Sequence, residues 1–538
     1  MRHVLPTRAA LGRPAITALV SLAAWTLASC EGGSNGTATT SLDPPAVPDP
    51  PGDVPAFPFV AHVDQHDIAR GAIRFAELFV LGDELFETQF NALDGVGIGR
   101  LPDGTPFPQR FSRVPPGGGR FTGPNGQACA GCHNSPLPTS AGEVASNVAQ
   151  DPERAGIPPF NLRNTTSLFG AGVVQRLAEE MTEDLQETRD DAEAAALPGG
   201  DSVTLPLESK GIAFGSITAT RDAFGEIELD TSQVAGVGVD LVVRPYGWKG
   251  NVTTLRDFVR GAARNELGMD ASELVAKDPG GDPDSDGDGV VEEFSVGDVT
   301  ALTIYIAAQE IPTTLADLVA AGREPRPPAS VGTAIAVGAR RFGEIGCAGC
   351  HVPELRLEDP VFEEPTARGN GAYVDPDIDP VATGLDPARP FRFHLVREGD
   401  PPRLVPHSAG GARVALFGDL KRHRMGSHLA DEQPTDASDA SGGTLRVAGS
   451  DVAVAVGEFL TAELWGAGST GPWLHDGRAA SMRDAVILHG VDNPAAIGDP
   501  ARGEAQESRD RFLALSDVEQ AAVVEFLQSL RLFSFEEE

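Results

Sequence analysis

One five-residue pattern occurs twice in the chain: Cys129-Ala130-Gly131-Cys132-His133 returns as Cys347-Ala348-Gly349-Cys350-His351. The only other cysteine is Cys30. Two thiols three positions apart, followed at once by an imidazole, form the pattern through which c-type haem is attached. The thiols become thioethers to the porphyrin, and the histidine is held where it can bind iron. Two short disulfides, or one zinc site of four sulfurs, are the alternatives. Neither accounts for the histidine after each pair, and zinc would have to draw ligands from opposite halves of the chain. The pattern therefore predicts two covalent haems, on Cys129, Cys132 and His133 and on Cys347, Cys350 and His351.

With 538 residues the chain exceeds what one core accommodates. Its 78 acidic against 42 basic side chains give a net charge of -36. That charge disfavours nucleic acid and anionic membrane surfaces as partners and favours basic ones. At the N-terminus, Arg2, Arg8 and Arg13 precede an apolar run, Ala15 to Leu27, too short for a stable membrane anchor. The run ends in Leu27-Ala28-Ser29-Cys30, similar to a lipoprotein signal, with an ordinary signal peptide as the alternative. Either predicts export to the periplasm or cell envelope, and the lipoprotein reading adds an anchor at Cys30. Residues 1–30 are thus a signal peptide, and the Gly-, Ser-, Thr- and Pro-rich stretch 31–58 is a tether.

Helical spacing of apolar residues precedes both cysteine motifs, over Ala69 to Phe86 and over Ala334 to Phe342. The capping box Ser516-x-x-Glu519 opens a C-terminal helix. Short strands are expected between Ser202 and Val243, and Glu324-Pro325-Arg326-Pro327-Pro328 cannot continue a helix. The expected fold class is mainly α, with two cytochrome c-like haem domains, 59–325 and 326–538, and a small β-rich insertion in the first.

A fainter repeat supports a duplication. Lys249-Gly-Asn-Val-Thr-Thr-Leu-Arg-Asp-Phe-Val259 aligns without gaps to Asp476-Gly-Arg-Ala-Ala-Ser-Met-Arg-Asp-Ala-Val486. The same offset places His489 on Ala262, and no histidine lies between His133 and His351. With His489 as second ligand, the second haem iron is closed and suited to electron transfer, while the first keeps an open face. Met425 is the rival for that position. His62, His66, Met181 and Met269 are candidates to close the first iron.

Asp282, Asp284, Asp286, Asp288 and Glu293 fit a D-x-D-x-D-G-x5-E loop, which holds calcium through oxygen ligands. A solvated acidic turn is the alternative.

The chain resembles the di-haem oxidoreductase family of putative peroxidases, related to bacterial di-haem cytochrome c peroxidases. The resemblance rests on Arg163-Asn-Thr-Thr-Ser-Leu-Phe-Gly-Ala-Gly172, Arg244-Pro-Tyr-Gly-Trp-Lys-Gly250, Leu464-Trp465-Gly466 and Trp473-Leu-His-Asp-Gly-Arg-Ala479, together with the two cysteine motifs. It implies reduction of hydrogen peroxide with electrons from an external donor such as a small, basic cytochrome. It also implies His489 as the second ligand in place of the family's methionine, Trp248 as an electron relay and Glu266 as the acid over the first haem. Phe258 stands where the family has a glutamine, and Thr461-Ala462-Glu463 replaces its Thr-Pro-Pro. Other classes compatible with the motifs are a pure electron-transfer cytochrome and a haem oxidase or oxygenase acting on an organic substrate or partner protein.

Overall fold

The computed structural model describes residues 62–91, 93–96, 126–136, 139–142, 163–275, 290–374, 383–399, 402–431, 454–492 and 499–532. All of them fall in one compact unit, Ala56–Glu538. The signal peptide, the tether through residue 58, and Asp282, Asp284, Asp286 and Asp288 lie outside the described residues.

The expectation of a mainly α chain built from two cytochrome c-like domains does not hold. Among the described residues helix accounts for 36% and strand for 16%, and the strands form five small sheets. The helices are α1 (Gln65–Ala69), α2 (Phe75–Glu87), α3 (Ala171–Ala195), α4 (Leu255–Ala262), α5 (Ser272–Val275), α6 (Val296–Ala307), α7 (Leu315–Ala320), α8 (Ala329–Glu344), α9 (Met482–Ile487), α10 (Gln506–Ala514) and α11 (Asp517–Gln528). The expected strands between Ser202 and Val243 are β1 (Val203–Ser209), β2 (Ile212–Arg221) and β3 (Ile227–Asp230), an antiparallel sheet in chain order.

The unforeseen strands lie further on. They are β4 (Thr313–Thr314), β5 (Leu355–Leu357), β6 (Val361–Glu364), β7 (Phe391–His394), β8 (Val405–Pro406), β9 (Ala412–Val414), β10 (Arg422–Arg424), β11 (Glu458–Leu460) and β12 (Leu530–Arg531). At two to four residues each, they are too short for a period-two pattern to stand out from its flanks. Apart from the local pairing of β8 with β9, they are recruited across long separations, as where β10 meets β11 with His423 opposite Phe459. Tertiary pairing overrides local preference there.

The helix expected over Ala69 to Phe86 is broken. Gly71 has φ 74 between α1 and α2, a left-handed conformation that ends a helix. The C-terminal helix begins as expected, with Ser516 and Glu519 forming a reciprocal capping box.

Two clusters of buried apolar residues organise the unit. The larger surrounds α6, nearly all of whose residues are buried, and extends from Val63 through Leu420 to Trp465. It therefore draws on both sides of the Glu324–Pro328 stretch. The smaller joins Phe342 of α8, Met482 of α9, Phe512 of α10, and Val523, Phe526 and Leu527 of α11. At Gly338 of α8 a Cβ atom would lie 1.9 Å from the Ala522 carbonyl oxygen. Only glycine permits that approach of α8 to α11. No helix among the described residues is long and apolar enough to cross a membrane.

Candidate functional site

Both cysteine motifs fold alike. Cys129–Gly131 and Cys347–Gly349 each form one 3-10 turn, and each motif histidine donates its backbone N–H to the first cysteine's carbonyl, at 3.1 Å for His133 and 3.0 Å for His351. The turn brings both thiols and the imidazole to one place. Burial pushes the Cys129 and Cys347 thiols up to about 12, so as free thiols they stay protonated near neutral pH.

The imidazoles show how a metal would be held. His133 Nδ1 lies 3.1 Å from the Ser140 carbonyl and 3.0 Å from that of Thr166. His351 Nδ1 lies 3.2 Å from the Phe417 carbonyl, and His489 Nδ1 2.7 Å from that of Ala485. Carbonyl oxygens only accept, so in each ring Nδ1 carries the proton and Nε2 keeps its lone pair. This is the support that orients a metal-binding histidine and fixes its tautomer. Burial lowers the pKa of all three, and His351, with His489 opposite, is pushed down to about 4. The imidazoles are neutral and ready to ligate.

The His351 and His489 ring centres are 6.3 Å apart. Two metal–nitrogen bonds of about 2 Å, plus about 1 Å from each ring centre to its nitrogen, add to nearly the same length. The residues present therefore fit an iron held between two histidines. Of the two rivals, His489 is the one that faces His351. Met425 follows β10 and donates its N–H to the Gly457 carbonyl, and its neighbour His428 bonds through Nε2 to the Leu488 carbonyl.

The repeat is structural as well as sequential. Tyr246 bridges Val252 as Trp473 bridges Ala479. Gly250 and Gly477 both have positive φ. Thr254 caps α4 through the Asp257 N–H, as Ser481 caps α9 through the Asp484 N–H. Beyond the helices the copies part. The second reaches His489, whereas Ala262 ends α4 and is followed by a π-helical turn, Ala263–Leu267, that carries Glu266. The Glu266 carbonyl accepts the Gly126 N–H at 3.0 Å, and its carboxylate adds to the upward push on the Cys129 thiol. The acid thus stands beside the first motif.

His62 and His66 are accounted for elsewhere. His62 Nδ1 is 2.6 Å from Asp298, and His66 is exposed. Met181 and Met269 are fully buried in the larger core.

Trp248 lies close to the support of the first motif. Its indole N–H donates to the Asn164 carbonyl at 2.9 Å, two residues before the Thr166 carbonyl that holds His133. Its ring meets His475 edge-on, with centres 6.4 Å apart. Trp248 and His475 are repeat equivalents, so the two copies touch through matching positions. Extending the alignment by one residue would have paired them. Phe258, on α4, packs against Tyr246 with ring centres 6.2 Å apart.

Beside Cys350 lies a feature that sequence reasoning missed. His423 sits with Nε2 2.8 Å from Asp419 and Nδ1 2.8 Å from Glu504, and Nδ1 is also 3.8 Å from the Cys350 sulfur. Carboxylates accept from both nitrogens, so the ring is an imidazolium. Burial opposes this, but the bonds to Asp419, Cys350 and Glu504 lift its pKa to about 11. Cys350, Asp419 and His423 also sit close enough to form a metal-donor group, although a doubly protonated ring offers no lone pair. Of the candidate calcium ligands, Glu293 is buried and its Oε2 accepts the Asp270 N–H at 2.6 Å.

A buried network positions α4 and its π turn. Arg256 pairs with Glu273 at 2.5 Å and Glu364 at 3.0 Å. Arg260 joins Glu273 at 3.1 Å to Asp257 at 2.5 Å.

No family model matches the chain, and no curated protein matches it either. Among solved structures, it is similar to a variant of the diheme peroxidase BthA from Burkholderia thailandensis. The two are 14% identical, the match covers 87% of this chain and 89% of that one, and the TM-score is 0.34. A score this low fixes neither fold nor activity.

Proposed function

We propose that this chain is a di-haem c-type oxidoreductase that reduces hydrogen peroxide. The observation that supports it most is the contrast between the two motifs. One has an imidazole pair at 6.3 Å; the other has its motif histidine and an acid beside its first cysteine. Cys129, Cys132 and His133 would hold one haem, and Cys347, Cys350, His351 and His489 the other. Bound there, haem supplies one-electron redox chemistry at both sites and an open coordination position at one.

The side chains do the rest. His351 and His489, each fixed through Nδ1, would together hold the iron of the second site and suit it to passing electrons. Trp248, tied to the Asn164 carbonyl and touching His475, offers an aromatic step between the sites. At the first site His133 would hold the group and leave room for peroxide, and Glu266 would give a proton to its departing oxygen. A positioned acid of this kind contributes about 10²- to 10⁴-fold. Peroxide takes up two electrons and two protons and leaves as two waters. The surface charge favours a basic electron donor. The N-terminal sequence supports an exported protein in the cell envelope, anchored at Cys30, and the acidic loop through Glu293 supports calcium.

Electron paramagnetic resonance of the fully oxidised holoprotein, repeated after adding one electron per molecule, tests this. A high-spin ferric signal is expected in at least one of the two states. Low-spin ferric signals alone in both, one of them lost on reduction, would mean two closed irons and would replace peroxide reduction by electron transfer alone.

A further inference from the structure

An aromatic cluster leads from His133 to Phe75. The Phe86 ring centre is 6.2 Å from that of His133 and 5.4 Å from that of Tyr305. Tyr305 is 5.2 Å from Phe79, which is 6.1 Å from Phe75, and both phenylalanines are only partly buried. Such a cluster is commonly no more than core packing. Three further observations set Tyr305 apart.

A second route joins it to the same histidine. The Tyr305 hydroxyl is 2.8 Å from Thr139 Oγ1, and the Thr139 N–H donates to the His133 carbonyl at 2.9 Å. Thr139 is also held at φ 69, a left-handed conformation that a β-branched residue adopts only under constraint. Finally, a proton acceptor is brought alongside. At Gly82 a Cβ would lie 2.3 Å from the Ala301 carbonyl oxygen and 2.5 Å from Tyr305 Cβ. Glycine there lets α2 lie against α6 and sets Asp83 beside Tyr305. Burial first, and then the Asp83 carboxylate, raise the phenol well above its ordinary value. The other two tyrosines differ: Tyr246 and Tyr373 donate to the Ala171 and Val243 carbonyls, which cannot take up a proton.

We propose that Tyr305 is a redox-active side chain of the first site, losing an electron toward His133 and its phenolic proton to Asp83. The inference rests on the peroxide-reducing reading, since a hydroperoxide is the oxidant that leaves the first site short of an electron. The O–H bond breaks, the electron fills the deficit at the His133 site, the proton goes to the Asp83 carboxylate, and a neutral tyrosyl radical remains. Tyr305 thereby holds one oxidising equivalent when electrons from the second site are late, one ring, Phe79, from the protein surface.

The test mixes oxidised holoprotein with hydrogen peroxide, freezes it, and records the optical and electron paramagnetic resonance spectra. Wild type, Tyr305→Phe, Asp83→Asn and wild type grown on ring-deuterated tyrosine are compared. An organic radical is expected in wild type, with splittings that collapse on deuteration, at least tenfold weaker in Tyr305→Phe and clearly weaker in Asp83→Asn. The haem bands of both variants should match wild type before peroxide, showing an intact site. A radical that survives in Tyr305→Phe or ignores tyrosine deuteration overturns the inference. So does the absence of an organic radical while the haem bands respond to peroxide, which leaves the peroxide reading standing. Haem bands that ignore peroxide sink both.

Discussion

Residues 246–262 and 473–489 build the same module twice, a bridged turn with a left-handed glycine, a capped helix start and a short helix, and then use it for opposite ends. The second copy finishes on His489, facing His351 across 6.3 Å. The first finishes on a methyl group and a π-helical turn with Glu266. On the proposed reading, a duplicated scaffold is divided into a closed and an open site by the few residues at the end of one helix, while both motif histidines stay held through Nδ1 by backbone carbonyls.

The comparison can be broken most completely by giving the first copy what the second has. In Ala262→His an imidazole enters the position that matches His489. The high-spin signal should convert to low spin and the optical response to peroxide should vanish. Removing the acid instead should leave the site open but slow. Glu266→Gln should lower peroxide turnover by about 10²-fold or more, with its spin state unchanged, as stopped-flow and resonance spectra together would show.

The aligned arginines allow a test through stability. Arg256 is buried between Glu273 and Glu364, whereas Arg483, its repeat equivalent, is exposed and reaches Gln520 at 2.9 Å. Breaking a buried pair from one side leaves carboxylates uncompensated. Arg256→Met should therefore cost about 3–5 kcal/mol of unfolding free energy, and Arg483→Met less than about 1 kcal/mol. Equal losses in denaturant titrations would contradict the asymmetry.

The smallest effect concerns charge, a carboxylate beside Cys129 and a cation beside Cys350. The folded-state pKa of His423 is raised to about 11 from an unfolded value of about 6.5. Its contribution to stability is complete below the unfolded value and is lost as pH rises through the folded one. His423→Gln should cost about 1–3 kcal/mol near neutral pH and flatten the fall in stability between about pH 7 and 11.

Much of this site was legible in the chain. The cysteine motifs and the His489–Ala262 difference come from residue order and offset, and Glu266 from the family resemblance alone. The carbonyls of Ser140, Thr166, Phe417 and Ala485, which decide the imidazole tautomers, belong to the backbone and leave no trace in residue type. His423 looked like a neighbour of the rival ligand Met425, because its partners Asp419 and Glu504 meet only once β10 pairs with β11 and the chain returns. The fold class was misread for the same reason: sheets of two- to four-residue strands are made by distant partners, while helices announce themselves locally.

The raised thiols of Cys129 and Cys347 also bear on how such a protein would be made. Addition of sulfur to a vinyl group proceeds from thiolate, and burial in the folded chain pushes both thiols up to about 12. The finished fold is thus a poor substrate for its own maturation. If the chain carries the haems proposed above, their attachment would come before the polypeptide closes around the motifs.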